Sequence, residues 1–211
     1  SGMQININPS TSVEYGTQTR AIATKSVGGD EDLLYSFYRG GTLVASSSPW
    51  EEPWMTLNAE SYNYTFNTTG GQNYTAGSAN VSLTVNKIAN SVTLLLNGEA
   101  ENLTVQYPQQ INATAGTLYG SVSLYRNGIY VGSENGINAT IGVGYYNYSA
   151  NSSGNQNYSS SVETFWINIS LNDNISPIVN LVSPADAYST TLTNILFEYN
   201  AENYSPKGFT C

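Results

Sequence analysis

The feature that most constrains this chain is an internal repeat. Residues 61–88 (SYNYTFNTTGGQNYTAGSANVSLTVNKI) return 84 positions later as residues 145–171 (YYNYSANSSGNQNYSSSVETFWINISL). Tyr62 falls on Tyr146, Asn67 on Asn151, Gln72-Asn73-Tyr74 on Gln156-Asn157-Tyr158, and Leu83 and Val85 on Ile167 and Ile169. A repeat of this length calls for two copies of one folding unit, so the architecture is read from it before any local motif. In each copy two strand-like runs flank a Gly/Asn-rich loop. In the first run Tyr62, Tyr64 and Phe66 alternate with Asn63, Thr65 and Asn67, the period of two of a half-buried strand. A slip of one residue would turn the aromatic face to water. Tyr64 and Tyr148 are therefore expected inside, with Asn63 and Asn147 outside.

The rest of each copy follows the same order. Strands are expected at 4–7, 17–24, 33–39, 43–45 and 55–58 in the first, and at 91–96, 102–106, 109–115, 121–126, 129–131 and 137–141 in the second. The hairpins after Phe37-Tyr38-Arg39 and Leu124-Tyr125-Arg126 turn on Gly40-Gly41 and Asn127-Gly128, residues that accept the positive φ of tight turns. Seven or so short strands with turns every eight to twelve residues predict an all-β fold of tandem immunoglobulin-like antiparallel β-sandwiches. The expected domains are 4–87, 88–172 and an incomplete third module at 173–211. The junction at 86–90 has neither Gly nor Pro, so it is expected to be short and extended, stacking the modules end to end.

Composition narrows the function. Charged residues make up only 10% of the chain, against roughly 25% in an ordinary soluble domain; Asn, Ser, Thr, Gly and Tyr fill the polar faces, an uncharged surface often met outside the cell. The net charge of −9 is spread evenly, and no basic stripe exists for nucleic acid or anionic lipid. There is no His, and the one Cys is Cys211, so a Cys/His or Ser/His/Asp nucleophile within one chain is excluded, as is an intrachain disulfide. No apolar run approaches the ~20 residues of a membrane helix. No cofactor is expected.

Val13-Glu14-Tyr15-Gly16, then Ser36-Phe37-Tyr38-Arg39-Gly40-Gly41-Thr42-Leu43, then Gly71-Gln72-Asn73-Tyr74-Thr75-Ala76-Gly77-Ser78 before Leu83-Thr84-Val85-Asn86-Lys87 resemble the group 3-like immunoglobulin-like repeats of bacterial and archaeal surface proteins. The resemblance covers roughly 4–171 in two copies. The second copy departs from it with Pro108 where the first has Gly16, and no acidic residue precedes either Asn-Tyr. It implies stalks and adhesive spacers, modules that specify fold well and ligand poorly. From Ser176-Pro177-Ile178-Val179 onward the chain resembles the opening of another such module. A second strand is expected there at 194–200, with Ile195, Phe197 and Tyr199 on one apolar face.

Local signals follow from these placements. Thirteen Asn-x-Ser/Thr sequons occur, at Asn63, Asn67, Asn73, Asn80, Asn102, Asn112, Asn138, Asn147, Asn151, Asn157, Asn168, Asn174 and Asn203. On a strand the Asn and the hydroxyl two residues on point the same way, as glycosylation needs; a chain this rich in Asn, Ser and Thr also forms sequons by chance. Asp30-Glu31-Asp32, Glu51-Glu52 and Asp173 are oxygen donors for calcium in principle, but no spaced acidic loop exists and they read as solvated turn charges. Trp50 and Trp54 flank Glu51-Glu52-Pro53 in a loop longer than its counterpart. They would stack on a sugar or anchor a protein partner, or else plug the end of the sandwich. Glu51 and Glu52 point to opposite sides of an extended chain, a poor acid/base pair. Tyr62 and Tyr146 stand where a tyrosine corner returns its hydroxyl to the backbone upstream. The three lysines are poorly placed for a Lys–Asn isopeptide bond.

The expected function is a structural or adhesive segment of a larger extracellular, cell-surface protein, not an enzyme. One alternative is a glycan- or protein-binding module acting through the 50–54 loop. Another is a filament subunit assembled by strand donation through residues 175–211. Expected partners are other copies of the chain or neighbouring domains of the parent protein, with glycan as a further candidate; nucleic acid and membrane insertion are not expected.

Overall fold

The computed structural model describes residues 2–26, 32–171, 178–185 and 189–202. By its internal contacts the chain divides into two compact units, Ser1–Val92 with Gly116–Ser123 and Ala150–Glu163, and Thr93–Ala115 with Leu124–Ser149 and Thr164–Cys211.

The first copy forms β1 (Met3–Asn8), β2 (Ser12–Glu14), β3 (Gln18–Lys25), β4 (Tyr35–Arg39), β5 (Thr42–Ala45), β6 (Met55–Thr56), β7 (Ser61–Thr68) and β8 (Gly77–Asn86). These make two sheets, ordered β1-β3-β6 and β2-β8-β7-β4-β5. The second copy forms β9 (Val92–Leu96), β10 (Leu103–Tyr107), β11 (Gln110–Thr117), β12 (Ser123–Arg126), β13 (Ile129–Tyr130), a 3-10 turn at Gly132–Glu134, β14 (Asn138–Thr140), β15 (Gly144–Ser152) and β16 (Ser161–Leu171). Its sheets, β14-β11-β9 and β10-β16-β15-β12-β13, have the same order strand for strand. The fold is a tandem of immunoglobulin-like β-sandwiches.

Not every pairing is antiparallel. β1 runs antiparallel to β3, from Met3 opposite Lys25 to Asn8 opposite Arg20. Pro9 then ends the ladder, having no N–H to give, and the chain crosses to the other sheet. There β2 lies parallel to β8, with Val13 opposite Val85. The second copy repeats this, β10 running parallel to β16 with Val105 opposite Ile169. A strand reached by a crossover rather than a hairpin is free to run parallel to its neighbour.

The predicted faces hold. Tyr64 and Tyr148 are each 1% exposed, and Asn63 is exposed, whereas Asn147 is half-buried. The difference lies in the hairpin turns. Asn127 donates its N–H to Asn147 O at 2.8 Å and accepts from Asn147 N on its own Oδ1 at 2.8 Å. In the first copy Gly40 donates to Asn63 O at 2.9 Å but has no side chain to lay over it. The first core gathers Ala21, Ala23, Tyr35, Phe37, Tyr64, Phe66, Leu83 and Val85, each large apolar member contributing about 1.5–3 kcal/mol by leaving water. Both tyrosine corners are present: Tyr62 Oη donates to Asn58 O and Tyr146 Oη to Gly142 O, each at 3.0 Å.

In the tail, β17 (Ile178–Ser183) pairs antiparallel with β18 (Glu198–Glu202), with a bulge between Leu181 and Ser183. The expected strand at 194–200 thus starts later. Ile195 and Phe197 precede it and have no ladder partner among the described residues, since β17 is matched entirely by Glu198–Glu202.

Candidate functional site

The 50–54 loop is not a free rim. Its first residues extend the sheet edge: Ala23 N donates to Trp50 O at 2.8 Å and Glu52 N to Ala21 O at 3.0 Å, with Ile22 bridged to Glu51. Alternation then turns Trp50 and Glu52 inward and Glu51 outward. Trp50 packs on Tyr35 and Phe66, ring centroids 5.4 and 5.2 Å away. Trp54 remains 51% exposed. Glu51 pairs with Arg20 near the surface. Glu52 is only 3% exposed; its Oε1 meets Arg39 Nη1 at 2.7 Å, and its Oε2 accepts from Tyr64 Oη at 2.7 Å. The reading of Glu51-Glu52 as solvated turn charges is therefore corrected. The two carboxylates are divided between two arginines on opposite faces of the loop, and a buried carboxylate is tolerated because a cation and a hydroxyl satisfy it.

The second copy builds the same grouping from other parts of its sequence. Arg126, the counterpart of Arg39, holds Glu134 through Nη1–Oε2 at 2.6 Å and Nη2–Oε1 at 3.2 Å, and donates to Tyr148 Oη at 3.3 Å. Here the carboxylate comes from the 3-10 turn, not from a loop matching 50–54. Burial pushes the Tyr64 phenol well above its ordinary range, reinforced by its bond to Glu52 and that carboxylate's charge, against a smaller pull from Arg39. Tyr148 is likewise pushed up by burial, against Arg126. Both folded-state values lie above the unfolded ones, so this stabilisation is complete below about pH 10 and is lost as pH climbs through the raised values. An ultraviolet titration is expected to show a tyrosine fraction that ionises only together with alkaline unfolding, and smaller in Tyr64→Phe. A wholly reversible phenol titration centred at the ordinary value would contradict this.

A second cluster lies in the first compact unit, at the linker after β8. Ile88 N donates to Asn157 O at 3.0 Å and Ile88 O accepts from Ser159 N at 2.9 Å. Lys87 Nζ donates to Asn155 O at 2.7 Å. Asn157 accepts from Ala59 N on Oδ1 at 2.9 Å and donates from Nδ2 to Asn58 Oδ1 at 3.2 Å. Asn90, buried, donates from Nδ2 to Tyr119 O at 3.0 Å and to Ser152 Oγ at 3.1 Å. Tyr158 stacks on Tyr119 with centroids 3.7 Å apart and meets Tyr15 edge-on at 5.7 Å. The loop bearing Asn157 turns on Gly154 at φ +69°, where an added Cβ would run into the Tyr158 carbonyl; Gly70 at φ +84° plays the same part 84 residues earlier. The sequence marks Asn157 as a repeat position and a sequon and Asn90 as the end of the junction, but nothing in it pairs them with Asn58, Tyr119 or Ser152. The Asn157-Tyr158 pair inside the repeat was the available signal.

The structure sorts the sequons. Asn63, Asn73, Asn80, Asn102, Asn138, Asn151 and Asn168 are exposed; Asn67, Asn112, Asn147 and Asn157 are half-buried. The amide of Asn112 donates to Gly136 O and Asn138 Oδ1. Asn174, Asn203, Cys211, Asp30, Glu31 and Asp173 lie outside the described residues. Asp32 accepts from Gln72 N at 2.8 Å. Ile195, Phe197 and Tyr199 are 43%, 60% and 67% exposed, and Ile195 lines a dent with Pro184, Ala185, Leu192 and Leu196. Among the described residues no three acidic, His or Cys side chains converge as a metal site, and no helix is long and apolar enough to cross a membrane.

The geometry thus defines a tandem β-sandwich whose polar clusters hold strands, loops and a linker in place. No family model and no curated protein sequence matches the chain. Among solved structures it is similar to the fibronectin(III)-like modules of Clostridium thermocellum CbhA, with 16% identity, 80% of this chain and 95% of that one covered, and a TM-score of 0.31. It is also similar to the N-terminal four Ig domains of Dscam1 isoform 6.9, with 12% identity, 81% of this chain and 46% of that one covered, and a TM-score of 0.28.

Proposed function

We propose that the chain is an extracellular structural or adhesive segment of a larger surface protein, with modules at 4–87 and 88–172 and a third opening at 173–211. The observation that carries this reading is the held linker. Residues 87–90 have neither Gly nor Pro, and they are fixed by backbone bonds to Asn157 and Ser159, by Lys87 on Asn155 and by buried Asn90. A tether between independent domains needs none of these bonds; a segment that transmits tension does. The low charge and the absence of His support a non-catalytic role.

Single-molecule pulling from the two termini tests it. The chain is expected to yield two separate unfolding steps, each lengthening the molecule by roughly 230–270 Å, the reach of a module of this size less its folded span. No extension at the linker should precede them. In the Asn157→Ala, Tyr158→Ala protein a small early extension should appear while both large steps remain. A wild-type chain that lengthens without two force peaks does not bear load, and the reading fails.

A further inference from the structure

Tyr145 on β15 and Trp166 on β16 stack on each other, ring centroids 4.9 Å apart and planes 18° from parallel, yet stand 61% and 40% exposed. Both lie in the second compact unit, on one face of its five-stranded sheet. Two large rings held together in water leave apolar surface that asks for a cover. Residues two apart on a strand share a face. Tyr145 is followed on its face by Asn147 and Ser149, and Trp166 by Asn168 and Ser170. Each set is a sequon with an aromatic ring two residues ahead, and of the thirteen sequons only these two have that spacing. In the first copy the corresponding places are Ser61 and Ser82, so the platform is not a by-product of the repeat.

The amide nitrogens are available. Among the described residues Nδ2 of Asn147 and of Asn168 donates no hydrogen bond, whereas Nδ2 of Asn157 is engaged by Asn58 and that of Asn112 by Gly136 and Asn138. We propose that Asn147 and Asn168 carry N-linked glycan and that the first sugar lies over the Tyr145–Trp166 pair. The transfer takes place on the unfolded chain. Asn Nδ2 attacks the anomeric carbon of a saccharide held on a lipid pyrophosphate; the N–C bond forms, the bond from carbon to phosphate oxygen breaks, the pyrophosphate leaves on its lipid and one amide proton is lost. Folding then places the sugar's C–H face on rings that are apolar in the middle and polar at their edges. The proposal rests on the extracellular reading above, because the saccharide donor is met on the outward side of a membrane.

The test secretes the full chain, behind a supplied signal sequence, from a host with an oligosaccharyltransferase, and maps occupancy by mass spectrometry of glycopeptides. Asn147 and Asn168 are expected to be filled in most molecules, and Asn112 and Asn157 bare in the folded, secreted protein, because a sugar on either nitrogen would stand where its Nδ2 bonds to Gly136, Asn138 and Asn58 must form on folding. Enzymatic removal of the glycan should lower the melting temperature of the second sandwich by about 2–4 °C, and should leave it unchanged in the Tyr145→Ala, Trp166→Ala protein. Bare Asn147 and Asn168 in the secreted chain overturn this proposal while leaving the pulling result, and the reading it tests, untouched. An equal shift with and without the rings overturns the seating of the sugar. If the unglycosylated chain instead binds free chitobiose, with a change in Trp fluorescence that Trp166→Ala abolishes, the rings form a site for foreign glycan and the proposal fails.

Discussion

Phe66→Ala is expected to destabilise the first sandwich by about 3–5 kcal/mol. Phe66 is fully buried on β7, stacked on Tyr35 at 5.3 Å, edge-on to Phe37 at 6.3 Å and tilted against Trp50 at 5.2 Å. Removing the ring strips contacts from three other rings at once. None of them can follow into the gap: Tyr35 and Phe37 are fixed on β4, and Trp50 is pinned by its carbonyl to Ala23 N. The contrast lies within the molecule, because the second copy has Ala150 at this position, also fully buried. There Leu124 replaces Phe37. Alanine is thus compatible with the fold but not with the neighbours of Phe66. Ala150→Phe should in turn cost about 1–3 kcal/mol through overpacking. Urea unfolding of both proteins checks the pair. A Phe66→Ala midpoint equal to that of the wild type would show that the aromatic cluster is not a packed core.

Glu52→Ala is expected to cost about 3 kcal/mol, since it leaves a half-buried arginine and a buried phenol without their partner. Glu51→Ala, one residue away, should cost under about 1 kcal/mol, because its pair with Arg20 is partly in water. The side chains of Glu51 and Arg20 are 33% and 28% exposed, against 4% for Glu52. Glu52→Gln, which still accepts from Tyr64 but no longer neutralises Arg39, should fall between the two. Equal effects at 51 and 52 would restore the view of this stretch as solvated charge. The measurement is again equilibrium unfolding, followed through the first sandwich's transition.

The repeat made the sandwich strands legible because it carries its own alternation. Tyr62, Tyr64 and Phe66 can face one way only if the strand is in register, and the tyrosine corners at Tyr62 and Tyr146 follow from that register. The hairpins at Gly40-Gly41 and Asn127-Gly128 were readable from the positive φ those residues accept. These are local properties, set by neighbours along the chain.

The rest was decided by residues distant in sequence. Nothing in Trp50-Glu51-Glu52 says that a turn charge will be buried; the loop adding itself to the edge of β3 turns Glu52 toward Arg39 and Tyr64. Nothing near Arg126 says that its carboxylate will come from Gly132–Glu134, a turn with no counterpart at 50–54. Sequons look alike in one dimension, yet Nδ2 of Asn157 is committed to Asn58, 99 residues away, while Asn168 stands beside a stacked pair of rings. In the tail, the ladder partner rather than the apolar pattern set the start of β18. Periodicity along a strand is a property of the sequence by itself. The pairing of a buried charge, an amide or an edge depends on which strands fold against it, and only the tertiary structure brings those together.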